Sequence, residues 1–277
     1  MRKKYAELLD FLGNYPQWTD CGWVQTYLPY HHNLKGKRIL DVGCGNSLFA
    51  YALVQAGVSS YTGIDSNAEV FNPQNDDWAK TIHSYRKTLI KKYPNLISYQ
   101  MMSADDMQFQ DETFDLAIAV TVTEHLPNPE ETFKEIYRVL VPGGYFFFSH
   151  HNFYGWDGHH QGPYNVNELE GELTDTQKTV LDWRHLEADI EYENTYLNKI
   201  RWYKLRELVS KQFFIITWDT KYSYEQRGIA RLTNEILNKY SSKYTYEDLA
   251  VLENICLSKK LTPEEQQIMG DSRPSRF

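Results

Sequence analysis

The sequence predicts an α/β fold: a mostly parallel sheet with helices on both faces and a cap inserted late in the chain. Three observations carry this. Short apolar runs alternate with amphipathic stretches from residue 36 to 150, the pattern of strand–helix–strand units in a parallel sheet. Two glycines sit in the turn after the first run, RILDVGCGNS (38–47). The alternation breaks over 151–195 and then resumes.

Each element follows from its residues. Leu8, Leu9, Phe11 and Leu12 share one helical face that ends at Gly13, and an aromatic, partly helical segment follows to Lys37. RILDVG is the first strand, SLFAYALVQAG a helix stopped by Gly57, and VSSYTGIDSN the second strand. A helix from about Trp78 to Tyr93 ends before Pro94, then LISYQMMSA and TFDLAIAVTVTEH give strands three and four. In NPEETFKEIYRVLVPGG, Asn128 is placed to N-cap, Pro129 to sit at N1, and Glu130 and Glu131 to favour the positive helix end. Phe133, Ile136, Tyr137 and Leu140 form its apolar stripe, and Pro142-Gly143-Gly144 stops it before the strand GYFFFSH. After the break, TYLNKIRWYKLRELVSKQ reads as helix, FFIITWDT as strand, SYEQRGIARLTNEILNKYS as helix and ENICLSKK as the last strand. The tail LTPEEQQIMGDSRPSRF is polar and expected to be loosely held.

Composition narrows the function. A net charge of −8 with no Lys/Arg block argues against a binder of nucleic-acid backbones. Three scattered cysteines (Cys21, Cys44, Cys256) read as free thiols in a reducing compartment. MRKKYAELLDFLGNYP lacks the apolar core of a signal peptide, and no apolar run is long enough to span a bilayer, so a soluble cytoplasmic protein is expected. The 21 Tyr and 7 Trp lie largely in polar, loop-like segments, where such rings either line pockets or pack a lid.

Parallel sheets of this kind bind ligands at the carboxyl ends of their strands. That rim holds Gly43–Asn46, Asp65, Ser103–Asp105, Thr121–His125 and the His-rich loop SHHNFYGWDGHHQGPYN (149–165). Gly43 and Gly45 permit a sharp turn and close approach of backbone to a ligand. A dinucleotide fingerprint needs a third glycine, and position 48 is Leu, which weakens a pyrophosphate or nicotinamide reading. Asp65 closes the second strand about twenty residues on, where an acid accepts both hydroxyls of a ribose.

DVGCG, IDSN, SADDMQFQDETFDLAIA and EHLPNPEETFKEIYRVLVPGGYFFFS, in this order over residues 36–150, resemble the class I S-adenosylmethionine-dependent methyltransferases, small-molecule branch. The resemblance implies a Rossmann-like seven-stranded sheet, mostly parallel with the last strand antiparallel, and S-adenosyl-L-methionine as cofactor, leaving as S-adenosyl-L-homocysteine. It implies that Asp41, Gly43 and Gly45 hold the methionyl amine and carboxylate. Asp65 takes the ribose hydroxyls, flanked by Ser66 or Asn67, and Ala104 offers its N–H to the adenine. Relatives often carry Asp before that alanine; here Ser103 stands there, so Ser103 or Asp105 serves. Thr121 lies against the methionyl chain. Glu124-His125 matches a common family pair, but metal-bearing relatives add an acid upstream and TVT supplies none, so no metal is expected. The expected organisation is a single domain, 1–277: covering helices over 1–35, a cofactor core over 36–150, a substrate cap over 151–195, the return of the sheet over 196–260, and the tail over 261–277.

Methyl transfer needs alignment, and an oxygen or nitrogen nucleophile carrying a proton also needs a base, for which His is suited. The family topology sets the loop after the fifth strand beside the methyl. Three readings of its imidazoles stand: a general base among His150, His151 and His160; a divalent metal on His and Asp157; or a structural role in the lid. Tyr154, Trp156, His159 and Trp18 are the candidate acceptor contacts, Trp18 from the covering segment with Trp23 and Tyr27. Trp183, Arg184 and His185 either complete the pocket wall or stabilise the cap, while Arg201 and Lys204 read as an exposed helix face. The expected function is O-methylation of a sugar, polyol or natural-product hydroxyl with a His base. The rivals are N-methylation of a small amine and a silent S-adenosylmethionine-binding partner protein. The expected partner is a small-molecule acceptor, with neither nucleic acid nor membrane; a homodimer stays open.

Overall fold

The structure is a computed structural model and describes residues 2–27, 33–187 and 196–271. The chain opens with α1 (Arg2–Leu12) and two single-turn helices, α2 (Pro16–Thr19) and α3 (Gly22–Gln25). Strand β1 (Arg38–Val42) leads through a glycine turn to α4 (Phe49–Gln55) and β2 (Ser60–Asp65). Next come α5 (Ala68–Phe71), α6 (Asp77–Lys92), β3 (Ile97–Met101), β4 (Phe114–Val120), α7 (Pro129–Val139) and β5 (Leu140–His151). The insertion holds 3-10 turns and α8 (Asp175–Val180). The return supplies α9 (Trp202–Gln212), β6 (Phe214–Tyr222), α10 (Asn234–Tyr240), α11 (Tyr246–Ala250), β7 (Val251–Lys259) and α12 (Pro263–Asp271).

These strands make a Rossmann-like seven-stranded sheet in the order β3-β2-β1-β4-β5-β7-β6. β1 to β5 pair in parallel, and β7 runs antiparallel to both β5 and β6. The order reverses beside β1, where β2 lies on one side and β4 on the other, and this is where such sheets open a crevice.

Period-two alternation divides the core. Ile39, Leu116, Ile118, Phe147 and Leu257 face α1, α4 and α6, together with Leu8, Leu12 and Leu53. Their neighbours Leu40, Ala117, Ala119, Phe146, Phe148 and Cys256 face α7 and α9 through Phe133, Ile136 and Val209. Fully burying each such side chain contributes roughly 1.5–3 kcal/mol, so a strand slipped by one residue would turn both layers outward. A separate small core in the cap gathers Trp156, Trp183, Tyr240 and Leu249.

Several elements differ from the sequence expectation. Asn128 occupies the N-cap position of α7, as expected, but its side chain makes no capping bond; its amide donates instead to Asp105 Oδ2 at 2.7 Å. Leu140 leaves the helix and starts β5, which runs through Pro142–Gly144 to His151. The stretch expected as a helix over 223–241 is broken by Gly228, whose φ of +82° is left-handed. Only Asn234–Tyr240 is α-helical there, N-capped by Thr233. Residues 196–201 precede α9 rather than belong to it, and the tail expected to be loose forms α12 over Pro263–Asp271. The expectations for 28–32, 188–195 and 272–277 fall outside the described residues. No helix among the described residues is long and apolar enough to cross a membrane.

Candidate active site

Two adjoining cavities open at the carboxyl ends of β1, β2, β4 and β5. The first, about 300 Å³, is lined by Gly43, Gly45, Ile64, Asp65, Ser66, Met102, Ser103, Ala104, Asp105, Thr121, Val122, His125, Leu126, Pro127 and Thr132. The turn after β1 makes its floor. Gly43 and Gly45 have φ of +64° and +42°, conformations that side chains with a Cβ adopt at a cost. A Cβ on Gly43 would stand 2.5 Å from Val122 Cγ1. The buried Arg86 of α6 reaches beneath the turn and donates to the carbonyls of Cys44 and Ser47, each at 3.1 Å, and of Gly45. Its guanidinium also lies 4.4 Å from the centre of the Tyr99 ring.

Asp65 Oδ2 accepts from the Gly45 N–H at 2.9 Å, and Oδ1 accepts from the Asn67 N–H at 2.9 Å. The carboxylate is thereby fixed at the cavity wall with lone pairs to spare. Across from it, Asp105 accepts from Ser103 and from Asn128, and these bonds hold its carboxyl below the ordinary range. The set fits S-adenosyl-L-methionine: exposed backbone at the turn for polar termini, a fixed acid for a diol, and apolar Ile64, Met102 and Leu126 for a flat ring. Asp41 stands apart. It is buried behind the turn, not on the cavity wall, and accepts from Tyr61 Oη at 2.5 Å. Burial raises its carboxyl to about 7, against the Tyr61 hydrogen bond and the Arg86 charge.

The second cavity, about 390 Å³, shares Thr121 and His125 with the first and adds Glu124, His151, His160, Tyr164, Arg227, Leu252 and Glu253. Thr121 and His160 hold φ of +51° and +56°, left-handed values that cost roughly 1–3 kcal/mol each and concentrate at functional sites. Glu124 is almost wholly enclosed, and neither carboxylate oxygen has a hydrogen-bond partner among the described residues. The backbone N–H groups of Glu124 and His151 face it without meeting hydrogen-bond geometry, and burial pushes its carboxyl up to about 7. His125 Nδ1 lies 2.9 Å from the Tyr196 carbonyl. His151 Nδ1 lies 2.6 Å from His160 Nε2, and His151 Nε2 lies 3.3 Å from Asp157 Oδ1. Burial alone would raise Asp157, but His151 and an ion pair with Arg227 hold it below the ordinary range.

The structure therefore sorts the sequence candidates. Gly43, Gly45, Asp65, Ser66, Ser103, Ala104, Asp105 and Thr121 line the first cavity, and His151 and His160 the second. His150 is not brought to either cavity. Successive β5 side chains face opposite ways, so His150 turns inward, where its Nδ1 meets Thr123 Oγ1 at 2.9 Å and burial drives its pKa down to about 3. His159 likewise lies buried against His185, again pushed down to about 3 by burial. Trp156 sits in the cap core against Gly228. Tyr154 donates to the Lys199 carbonyl and packs at a tilt against Tyr244. Trp18 packs with Phe11, Tyr15 and Trp78. Arg201, expected on an exposed face, is drawn to Asp248 and the Lys243 carbonyl. His185 Nε2 donates to the Phe153 carbonyl at 3.0 Å inside the cap.

Sequence reasoning missed Arg86, Asn198 and Arg227. Asn198 clamps the site: its amide donates to the carbonyls of Thr123 at 2.7 Å and Leu126 at 3.1 Å, and its N–H donates to that of Glu124. No local motif marks it.

Residues 40–148 match the family described as Methyltransferase domain. A sterol methyltransferase-like 3 of Botryococcus braunii is 34% identical over 113 residues, 40% of this chain and 26% of that one. A ubiquinone biosynthesis O-methyltransferase of Coxiella burnetii (strain Dugway 5J108-111) is 32% identical over 123 residues, 44% of this chain and 47% of that one. The chain thus spans about a quarter and about half of the lengths of these two relatives. The crystal structure of an S-adenosylmethionine-dependent methyltransferase from Mesorhizobium loti shares the fold, with a TM-score of 0.52 at 17% identity over 86% of this chain and 96% of that one. Residues 40–148 thus resemble the family described as Methyltransferase domain, and the sheet around them has the fold of the solved S-adenosylmethionine-dependent methyltransferase.

Proposed function

We propose that the protein transfers a methyl group from S-adenosyl-L-methionine to an oxygen of a small, hydroxyl-rich molecule: a sugar, a polyol or a natural-product hydroxyl. The observation that carries this is the second cavity, which abuts the first through Thr121 and His125 and is furnished with two acids, three imidazoles and a tyrosine. A ligand in the first cavity and an acceptor in the second would meet across those two side chains, which is the alignment that displacement requires. The cofactor supplies an electrophilic methyl on a sulfonium, so an O–CH3 bond forms as CH3–S breaks, sulfur keeps the electron pair, and the hydroxyl proton leaves to a neighbouring base.

The chain's own part is to bind, orient and take that proton. Polar edges suited to hydroxyls come from Tyr164, Arg227 and Glu253, and the proton acceptor is drawn from the His125, His151, His160 and Glu124 cluster. His150, sealed beneath the strand, is outside it. The insertion over 151–195 supplies His151, His160 and Tyr164 and so governs which acceptor fits. The O-methyltransferase among the relatives supports an oxygen acceptor.

The test incubates the full chain with methyl-labelled S-adenosyl-L-methionine and a panel of hydroxylated and amine metabolites, with products identified by mass spectrometry. O-methyl products are expected. Products methylated only at nitrogen would replace this reading with N-methylation. Tight binding of S-adenosyl-L-homocysteine with no product from any panel member would favour a silent binding protein.

A further inference from the structure

We infer that Glu124, His125 and His160 form a binding site for one divalent first-row transition-metal ion at the floor of the second cavity. One donor atom from each lies within 4.8 Å of the others. Donors around a single ion bonded at 2.0–2.3 Å stand up to roughly 4 Å apart, so small side-chain adjustments close the set.

The hydrogen bonds around the cluster fix which atoms carry lone pairs. The Tyr196 carbonyl can only accept, so His125 donates to it from Nδ1–H and leaves Nε2 bare. Asp157, held ionised by Arg227, accepts from His151 Nε2–H. In the tautomer that places Nε2–H of His151 on Asp157, Nδ1 of His151 accepts Nε2–H from His160 and leaves His160 Nδ1 bare. The Tyr196 carbonyl behind His125 is the kind of partner that orients a metal-ligating histidine, and His160 is held through His151, itself backed by Asp157. The third donor, Glu124, is buried with neither oxygen in a hydrogen bond, the imidazoles of His125 and His150 each standing 3.9 Å away, which is costly for a carboxylate without a cation.

Charge points the same way. The cavity presents Glu124 and Glu253 against Arg227, and Arg227 is already paired with Asp157. Two imidazole nitrogens with one carboxylate suit Zn²⁺, Mn²⁺, Fe²⁺ or Co²⁺ better than Mg²⁺ or Ca²⁺, which take mainly oxygen ligands. The sequence offers no acid in the TVT upstream of Glu124-His125, so no metal is expected from it there; the fold brings a third donor from His160 on the returning loop. On the reading of this cavity as the acceptor site, an acceptor hydroxyl at an open coordination position gives up its proton more readily.

The test is metal binding by the full chain, read separately from turnover. Protein freed of metal with chelator is titrated with Co²⁺, followed by its visible absorption bands, and with Zn²⁺ and Mg²⁺ by calorimetry. One Co²⁺ or Zn²⁺ per chain is expected, with Mg²⁺ far weaker. Glu124→Gln and His160→Ala should each weaken Co²⁺ binding by roughly a hundredfold or more while retaining S-adenosyl-L-homocysteine binding, which shows that they are folded. If Glu124→Gln does not fold, His160→Ala on its loop decides. No stoichiometric binding, or equal binding by the variants, overturns the site. A chain that O-methylates without binding metal overturns this inference and keeps the proposed function; one that binds metal but methylates only amines does the reverse.

Discussion

Replacing Gly43 with Ala adds one methyl group to the turn that floors the first cavity, and the structure separates the cost into two parts. The residue has φ of +64°, and holding an L-residue in the left-handed region costs roughly 1–2 kcal/mol. The new Cβ would also lie 2.5 Å from Val122 Cγ1 and 2.8 Å from Cγ2, and forcing a methyl group into filled space costs about 1–3 kcal/mol. The total is about 2–5 kcal/mol. Truncating Val122 to Ala removes both clashing atoms and leaves only its Cβ at 3.2 Å. In the Val122→Ala background the same Gly43→Ala change should therefore cost only the backbone part. Urea unfolding of the wild type, both single variants and the double variant closes a mutant cycle, with an expected favourable interaction of roughly 1–3 kcal/mol. Calorimetry with S-adenosyl-L-homocysteine should show affinity lost in Gly43→Ala and partly regained in the double variant, since Val122 also lines the cavity. Additive effects within about 0.5 kcal/mol would refute the claim that Val122 is what the glycine makes room for.

Arg86→Gln removes charged donors to three turn carbonyls and, at roughly 1.5–3 kcal/mol per such bond, should weaken S-adenosyl-L-homocysteine binding by at least about tenfold in calorimetry. Asp41 has a folded pKa of about 7 against 3.8, set among Tyr61, Arg86, Asp65, Cys44 and Tyr99. Its contribution to stability is thus full below pH 3.8 and is lost as pH rises through 7. Unfolding of Asp41→Asn should accordingly gain on the wild type by roughly 4 kcal/mol from the acidic to the alkaline end of that window, and a pH-independent difference would count against it. Gly228→Ala places a Cβ 2.3 Å from Trp156 Cδ2 at φ of +82°. It should lower the free energy of unfolding by roughly 2–5 kcal/mol and redden Trp fluorescence; an unchanged free energy would show that the cap core gives way freely.

What the sequence made legible was local. The turn Gly43–Asn46 and the acid Asp65 are each a few residues long and tied to the ends of adjacent strands, so their relation survives without knowledge of the rest. α7 declared itself through Pro129 and its apolar stripe, though the Asn128 side chain bonds Asp105 instead of capping the helix, a contact between distant residues. The histidine pairs show the limit. His150 and His151 are neighbours in sequence but face opposite sides of β5, and only the register, His150 opposite Asn254 and His151 opposite Glu253, tells which one meets the cavity. Glu124, His125 and His160 converge because a loop returns over β4, and no spacing rule records that. Gly228 broke an expected helix for the sake of Trp156, far away in the chain.

Thr121 and His125 form a common wall between the two cavities, and a common wall makes their occupants thermodynamically linked. Any displacement of these side chains by a molecule on one side changes the free energy of binding on the other, by an equal factor in each direction. Affinity for S-adenosyl-L-homocysteine should thus depend on whether an acceptor is present. The strained Thr121, bonded through its N–H to Ser149 at the end of β5, is where that dependence would be tuned.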